Sequence, residues 1–189
     1  MAEESYDPKI IELIKKQGNE KCVDCGEEPV KFVSINNAVF ICSSCINYHL
    51  ALGSDISFVK NIEDHFDESD IKYLSLGGNT RFLSNLEEYE LINKDSQYSK
   101  DENTIQTKYV FYASEYFREL IKAEVYIGEK PEKPDKELAQ SLIEFSVQKQ
   151  EEGENVKEEE NKKNKKKNPI CCNEFILSFI VNFEFSLCH

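Results

Sequence analysis

Four cysteines, Cys22, Cys25, Cys42 and Cys45, form two Cys-x-x-Cys pairs separated by sixteen residues. Each pair sets two thiolates on one tight knuckle, where both reach the same ion. Four sulfurs complete a tetrahedral Zn²⁺ shell and leave no position for water, so the spacing points to one structural zinc ion rather than a catalytic one. A lone pair would equally suit a redox disulfide. Two pairs at this separation favour the metal over reduced core cysteines or disulfides. His49 follows Cys45 by four residues and shares a helix face with it, yet four sulfurs already fill the shell, so His49 is read as lying outside it.

The elements that must bring these sulfurs together are short. Phe32–Ile35 and Val39–Ile41 read as two strands, with Asn36-Asn37 as the turn between them. The second strand delivers Cys42 and Cys45. From Ser44 the periodicity becomes helical and ends at Gly53, placed as a C′ glycine. Zinc would thus tie a hairpin to the start of a helix. Before this stretch, Asp7 and Pro8 open a helix of about ten residues, and Gly18 lies past its end. After it come a strand at Ile56–Val59 and helices at about Ser69–Leu76 and Thr80–Tyr89. Gly77-Gly78 stops the first of these helices, and Asn79 suits the cap of the second. The polar run 93–107 reads as a loop. Tyr109, Tyr112, Tyr116, Phe117, Leu120 and Ile121 mark a longer amphipathic helix whose aromatic stripe is core. Pro131 and Pro134 close the folded region, although Leu138, Leu142, Ile143 and Phe145 allow one further helix.

The 189 residues carry 23 basic and 36 acidic side chains, a formal charge of −13. Between Cys22 and Gly53 there is one lysine, Lys31, beside Asp24, Glu27 and Glu28. A zinc module that reads nucleic acid needs a basic face, so DNA and RNA are excluded as partners. The acidic opening MAEESYDPKI has no signal-peptide character, and the three cysteines outside the pairs (Cys171, Cys172 and Cys188) are too few for a disulfide framework. Both features point to an intracellular, reducing setting. The chain divides into a zinc domain at 1–128, a possible extra helix at 129–149, a charged low-complexity linker at 150–168 and a short apolar, Cys-containing tail at 169–189. The tail is too short in uncharged residues to span a bilayer. Its lysine-rich approach and its cysteines leave open a peripheral anchor beside a plain solvated end.

Residues 19–126 resemble an ArfGAP domain, the zinc module that activates GTP hydrolysis by Arf-family small GTPases. The resemblance rests on Cys22, Cys25, Cys42 and Cys45 at the family's spacing, on Asp24 and Gly26 in CVDCG, and on Phe32 to Phe40. It continues through Tyr-His-Leu-Ala-Leu-Gly at 48–53, Ile-Ser-Phe-Val-Lys at 56–60, Gly-Gly-Asn at 77–79 and KYVFYASEYFREL at 108–120. It implies an α+β fold, a small zinc-containing domain with a short central sheet flanked by helices. It also implies an Arf-family GTPase as partner, with coat or membrane components beside it. The setting it implies is the cytoplasm, with peripheral attachment to Golgi or vesicle membranes. Such a protein regulates another protein's GTPase reaction and is not an enzyme in its own right.

Departures from the family pattern bear on mechanism. The arginine that the family is thought to use as a finger on the GTP phosphates is Leu50 here. A finger places a fixed positive charge against the transferred phosphoryl group and is worth about 10³–10⁵ in rate, or roughly 4–7 kcal/mol of barrier. Leucine supplies none of it. The family's Cys-x-Gly glycine is Asn47, its tryptophan-like positions are Phe32 and Phe66, and the segment from Lys60 to Phe66 is one residue shorter than usual. Asp64 takes the family's acidic position there. The chain has two arginines, Arg81 and Arg118. Arg81 is the weak candidate for a surrogate finger, and Lys60 lacks the guanidinium fork. The expectation is weak or absent GTPase activation, or a non-catalytic binding module for the GTP-bound partner or a coat or membrane component.

Overall fold

A computed structural model of the chain describes residues 7–143, Ser96 excepted. The readings for 144–149, for the linker at 150–168 and for the tail at 169–189 lie outside the described residues. In chain order the elements are α1 (Pro8–Ile14), β1 (Val30–Ser34), β2 (Val39–Cys42), α2 (Ile46–Leu52) and β3 (Val59–Asn61). They are followed by α3 (Glu68–Leu76), α4 (Asn79–Glu88), α5 (Glu102–Val110), α6 (Tyr112–Tyr126) and α7 (Lys136–Gln140). The strands form one antiparallel sheet in the order β2-β1-β3, so the fold is the expected α+β arrangement.

Side chains alternate across the pleat, and both faces of this sheet are covered. Phe40 of β2 and Val33 of β1 join Ile10 and Leu13 of α1, Phe66, and Leu74 of α3 on one side. Val39 and Ile41 of β2 join the larger core of Phe82, Leu86, Ile105, Tyr109, Phe117 and Ile121 on the other. All four residues of β2 are therefore buried. The hairpin register pairs Val33 with Phe40 and Ser34 with Val39.

Several boundaries differ from the sequence expectation, each for a visible reason. The strand expected at Ile56–Val59 is displaced to Val59–Asn61. The amides of Ile56 and Ser57 turn back onto the Gly53 carbonyl (3.2 and 2.8 Å), and only from Phe58, whose carbonyl accepts from the Ile35 N–H, does the chain join β1. Asn79 does not cap α4. It is the first residue of that helix, after Gly78 at φ 93°, and its side chain turns into the protein. There Oδ1 accepts from the Phe40 N–H (2.7 Å) while Nδ2 donates to the carbonyls of Lys21 (2.7 Å) and Gly18 (3.1 Å). The Gly77-Gly78 pair permits this approach, since a Cβ on Gly77 would lie 2.2 Å from that of Ala38.

The run 93–107 is not all loop. Asp101 accepts from the Thr104 N–H (2.7 Å) and starts α5, and the long helix expected from Tyr109 is broken at Phe111, whose backbone is extended. The break exposes peptide groups that residues 141–143 satisfy. Tyr112 N–H donates to Ser141 O, and Ile143 N–H to Val110 O, both at 2.9 Å. Pro131 and Pro134 consequently do not end the ordered chain. Asp135 caps α7, which packs its buried Ala139 onto the larger core.

Candidate metal centre and the adjoining helix

The first knuckle is closed by backbone bonds from Cys22 N–H to Glu27 O and from Gly26 N–H to Cys22 O, both 2.9 Å. The left-handed turn this needs falls on Gly26, at φ 73°. Val23 N–H, bonded to Phe40 O at 3.0 Å, pins the knuckle to β2. Cys42 ends β2 and Cys45 stands just before α2, so the second pair straddles the strand-to-helix junction. The four Sγ atoms lie within 4.8 Å of one another, with Cys25 and Cys42 at 3.5 Å. A tetrahedron with metal–sulfur bonds of about 2.3 Å requires sulfur–sulfur separations of roughly 3.8 Å. The cluster has that size, its cysteines are free, and three of the four are buried. The donor set and its geometry fit Zn²⁺, and four thiolates would hold it without an open position.

The thiols are already unequal. A hydrogen bond from Cys45 draws the Cys22 thiol down to about 5, against burial and the nearby Asp24 carboxylate. Burial pushes Cys25 up to about 12, and its bond to Cys22 raises Cys45. A divalent cation is what stabilises four thiolates at this spacing.

Asp24, between the first two cysteines, is completely buried and anchors a polar network through the core. Burial raises its carboxyl, but hydrogen bonding and charge from His49, with Lys108 and the Tyr109 hydroxyl, outweigh that and hold it below the usual carboxylate range. His49 Nε2 lies 2.9 Å from Asp24 Oδ2, Tyr109 O–H donates to Oδ1 at 2.9 Å, and Lys108 Nζ stands 3.7 Å from the same oxygen. The other ring nitrogen of His49 meets Ser57 Oγ at 2.7 Å. From Ser57 the network passes to Ser34 Oγ (2.9 Å), to Asn37 Nδ2 (2.8 Å) and, through Asn37 Oδ1, to Arg118 Nη1 (3.2 Å). Both nitrogens of His49 are thus engaged by protein groups other than the sulfurs, in keeping with its reading as a non-ligand.

One residue further along α2, Leu50 is 58 % exposed. Asn47 and Ala51 on the same helix are also exposed, and Phe58 beyond its end is 45 % exposed. From Ser43 to Phe58 the chain has no lysine or arginine.

Arg81 lies on α4, where its guanidinium grips Glu124 of α6 through two bonds (2.8 and 3.1 Å) and donates to Leu76 O. Arg118 is buried, and burial lowers it to about 10. It donates to Asn37 Oδ1 and to Tyr109 O. Lys60 lies between the rings of Phe58 and Phe66 and bonds Asp70 at 2.6 Å. Asp64 accepts from the Asn61 N–H (2.8 Å) and closes the turn after β3. Phe66 is buried and Phe32 is partly buried against the larger core.

The sequence motifs match the family profile described as "Putative GTPase activating protein for Arf" over residues 7–121, more than half of the chain. The chain belongs to the ArfGAP family. Within that family's reach, the ADP-ribosylation factor GTPase-activating protein AGD12 of Arabidopsis thaliana is 37 % identical over 73 residues, or 38 % of this chain and 22 % of that protein. Sporulation protein SPS18 of Saccharomyces cerevisiae is 35 % identical over 77 residues, covering 40 % and 26 %. ADP-ribosylation factor GTPase-activating protein 3 of Bos taurus is 30 % identical over 107 residues, covering 56 % and 19 %. The chain thus spans about a fifth to a quarter of the length of these relatives. A crystal structure titled as a "putative GTPase activating protein for ADP ribosylation factor" from Cryptosporidium parvum shares the fold. Its TM-score is 0.53 at 20 % identity, and the match covers 66 % of this chain and 99 % of that one.

The Cys-x-x-Cys spacing made the four cysteines legible in advance. The roles of Asp24, Ser57, Lys108 and Tyr109 were not visible in the same way. The available signals were an aspartate inside a knuckle that already has its ligands and a serine within the apolar run ISFV. Among the described residues, no helix is long and apolar enough to cross a membrane.

Proposed function

We propose that this ArfGAP-family chain binds an Arf-family small GTPase through the face bearing α2 and stimulates its GTP hydrolysis weakly or not at all. The supporting observation is Leu50, exposed on α2 at the position where the family resemblance puts the finger arginine. An apolar side chain there has neither the charge nor the donors to stabilise a transferring phosphoryl group. Both arginines of the chain are committed elsewhere, Arg81 to Glu124 and Arg118 to the buried network. Arg81 in this reading is a brace between α4 and α6. An interface can survive without the finger, because affinity resides in a few buried contacts and not in the catalytic charge. One zinc ion on Cys22, Cys25, Cys42 and Cys45 holds the domain together, and coat or membrane components are its further partners, in the cytoplasm and at Golgi or vesicle surfaces.

Single-turnover GTP hydrolysis by an Arf-family GTPase, with the native chain and Leu50→Arg compared, tests this. The expected result is little stimulation by the native chain and a gain of at least about a hundredfold in the variant, well inside the finger's range. Strong stimulation by the native chain sinks the reading.

A further inference from the structure

α2 has seven residues and no side-chain cap at its N-terminus, so it has almost no stability of its own. It is held by Cys45 at its start, by the buried His49 and Leu52, and by Tyr48, which packs on the larger core and whose carbonyl accepts from Gln106 Nε2. Of these, His49 alone is held directionally from two sides. Asp24 Oδ2 at 2.9 Å grips Nε2 from the metal knuckle, Ser57 Oγ at 2.7 Å grips Nδ1 from the chain leading into β3, and the edge of Tyr109 closes the ring's flank at a centroid separation of 4.6 Å. Ser57 is in turn secured by Ser34 of β1, and Ser34 by Asn37. A ring bonded at opposite ends cannot slide along the helix axis or rotate about it. On a helix, fixing residue 49 fixes the direction of residue 50, about 100° further round.

We infer that His49, clamped between Asp24 and Ser57, is the positioning residue for the side chain at position 50. The clamp sets where position 50 meets the GTPase, and through Asp24 it ties that placement to the loaded metal knuckle. This rests on the reading of position 50 as the finger site. A shift of about 1 Å in a reacting group costs on the order of 10²-fold in rate, so even a loosened clamp is readable.

The test uses the full zinc-loaded chain carrying Leu50→Arg, with and without Ser57→Ala, which releases Nδ1 of His49 and leaves Asp24 and the sulfurs intact. The expected result is a fall of about tenfold or more in the maximal single-turnover rate. The chain concentration giving half the maximal effect stays within about twofold, and Ser57→Thr, which keeps the hydroxyl, restores the rate. Amide hydrogen exchange read on the same proteins speeds up at residues 49–53 and not in α4 or α6. If Ser57→Ala does not retain zinc, Ser57→Cys, of similar shape but with a poor hydrogen-bonding thiol, replaces it with the same expectations. An unchanged maximal rate together with unchanged exchange at 49–53 overturns the clamp. Should Leu50→Arg itself give no gain, the finger-site reading fails, and the exchange measurement alone still decides whether His49 is clamped through Ser57.

Discussion

Replacing Tyr109 by phenylalanine removes one oxygen from the centre of the buried network and little else. The Tyr109 ring stacks on Phe82 at 5.3 Å and meets His49 edge-on, and a phenylalanine keeps both contacts. What goes is the O–H donated to Asp24 Oδ1 at 2.9 Å, a bond to a carboxylate with no access to water. Burial raises the Tyr109 hydroxyl well above its ordinary range, so it is a donor at neutral pH. Hydrogen bonds to charged groups contribute about 1.5–3 kcal/mol, and a buried acceptor left short costs its own desolvation. Asp24 retains His49, and Lys108 remains at 3.7 Å, which places the loss near the lower half of that range. About 2 kcal/mol corresponds to a fall in Tm of roughly 5–10 °C for a domain of this size. Urea unfolding in a fixed excess of zinc measures it, with the m-value unchanged. A loss below about 0.5 kcal/mol refutes the view that the network around Asp24 contributes to stability through this hydroxyl.

Other perturbations have equally definite outcomes. Chelating the metal should unfold the domain, seen as loss of near-ultraviolet dichroism that one equivalent of zinc restores, because the four-cysteine cluster joins β2 and α2 to the first knuckle. Persistence of native structure without metal would contradict this. Asn79→Ala strips partners from the Phe40 N–H and from the Gly18 and Lys21 carbonyls at once. It should cost about 2–4 kcal/mol in denaturant unfolding, at the level of several buried groups left unmet. The Glu124 carboxyl is held below its ordinary value, first by the hydrogen bond from Arg81. A depressed folded pKa means a contribution fully present above the unfolded value of about 4.3 and lost as pH falls through the lower folded one. The stability gap between the native chain and Glu124→Gln should therefore be constant from pH 7 to about 5 and shrink below that. A gap that widens on acidification would show the sign to be wrong.

What the sequence made legible was whatever has a short, strict signature. The cysteine spacing announced the cluster, and the apolar runs Phe32–Ile35 and Val39–Ile41 announced the hairpin. Helix α5 escaped because only two of its five buried residues, Ile105 and Tyr109, are in the hydrophobic core. The other three, Gln106, Thr107 and Lys108, are polar, with Gln106 donating to the Tyr48 carbonyl of α2 and Lys108 standing beside Asp24. Only a weak apolar stripe therefore marks the segment, although Asp101 before Glu102 is a fair cap signal. Asn79 escaped for a related reason. Its local pattern reads as a cap, while its partners lie at Gly18, Lys21 and Phe40, far away in the chain. A polar side chain whose partners come from distant segments leaves no periodicity to read.

The interruption at Phe111 also decides where this molecule can be shortened. The family match stops at residue 121, inside α6, whereas the peptide groups freed at 110–112 find their partners only at 141–143. A fragment cut at the family boundary would lose the last turns of α6, with Val125 from the core. It would also leave the Val110 carbonyl and the Tyr112 amide open to solvent or to another chain. Such an opened, strand-like edge invites self-association. The smallest piece that carries its own closure is therefore longer than the stretch by which its family is recognised.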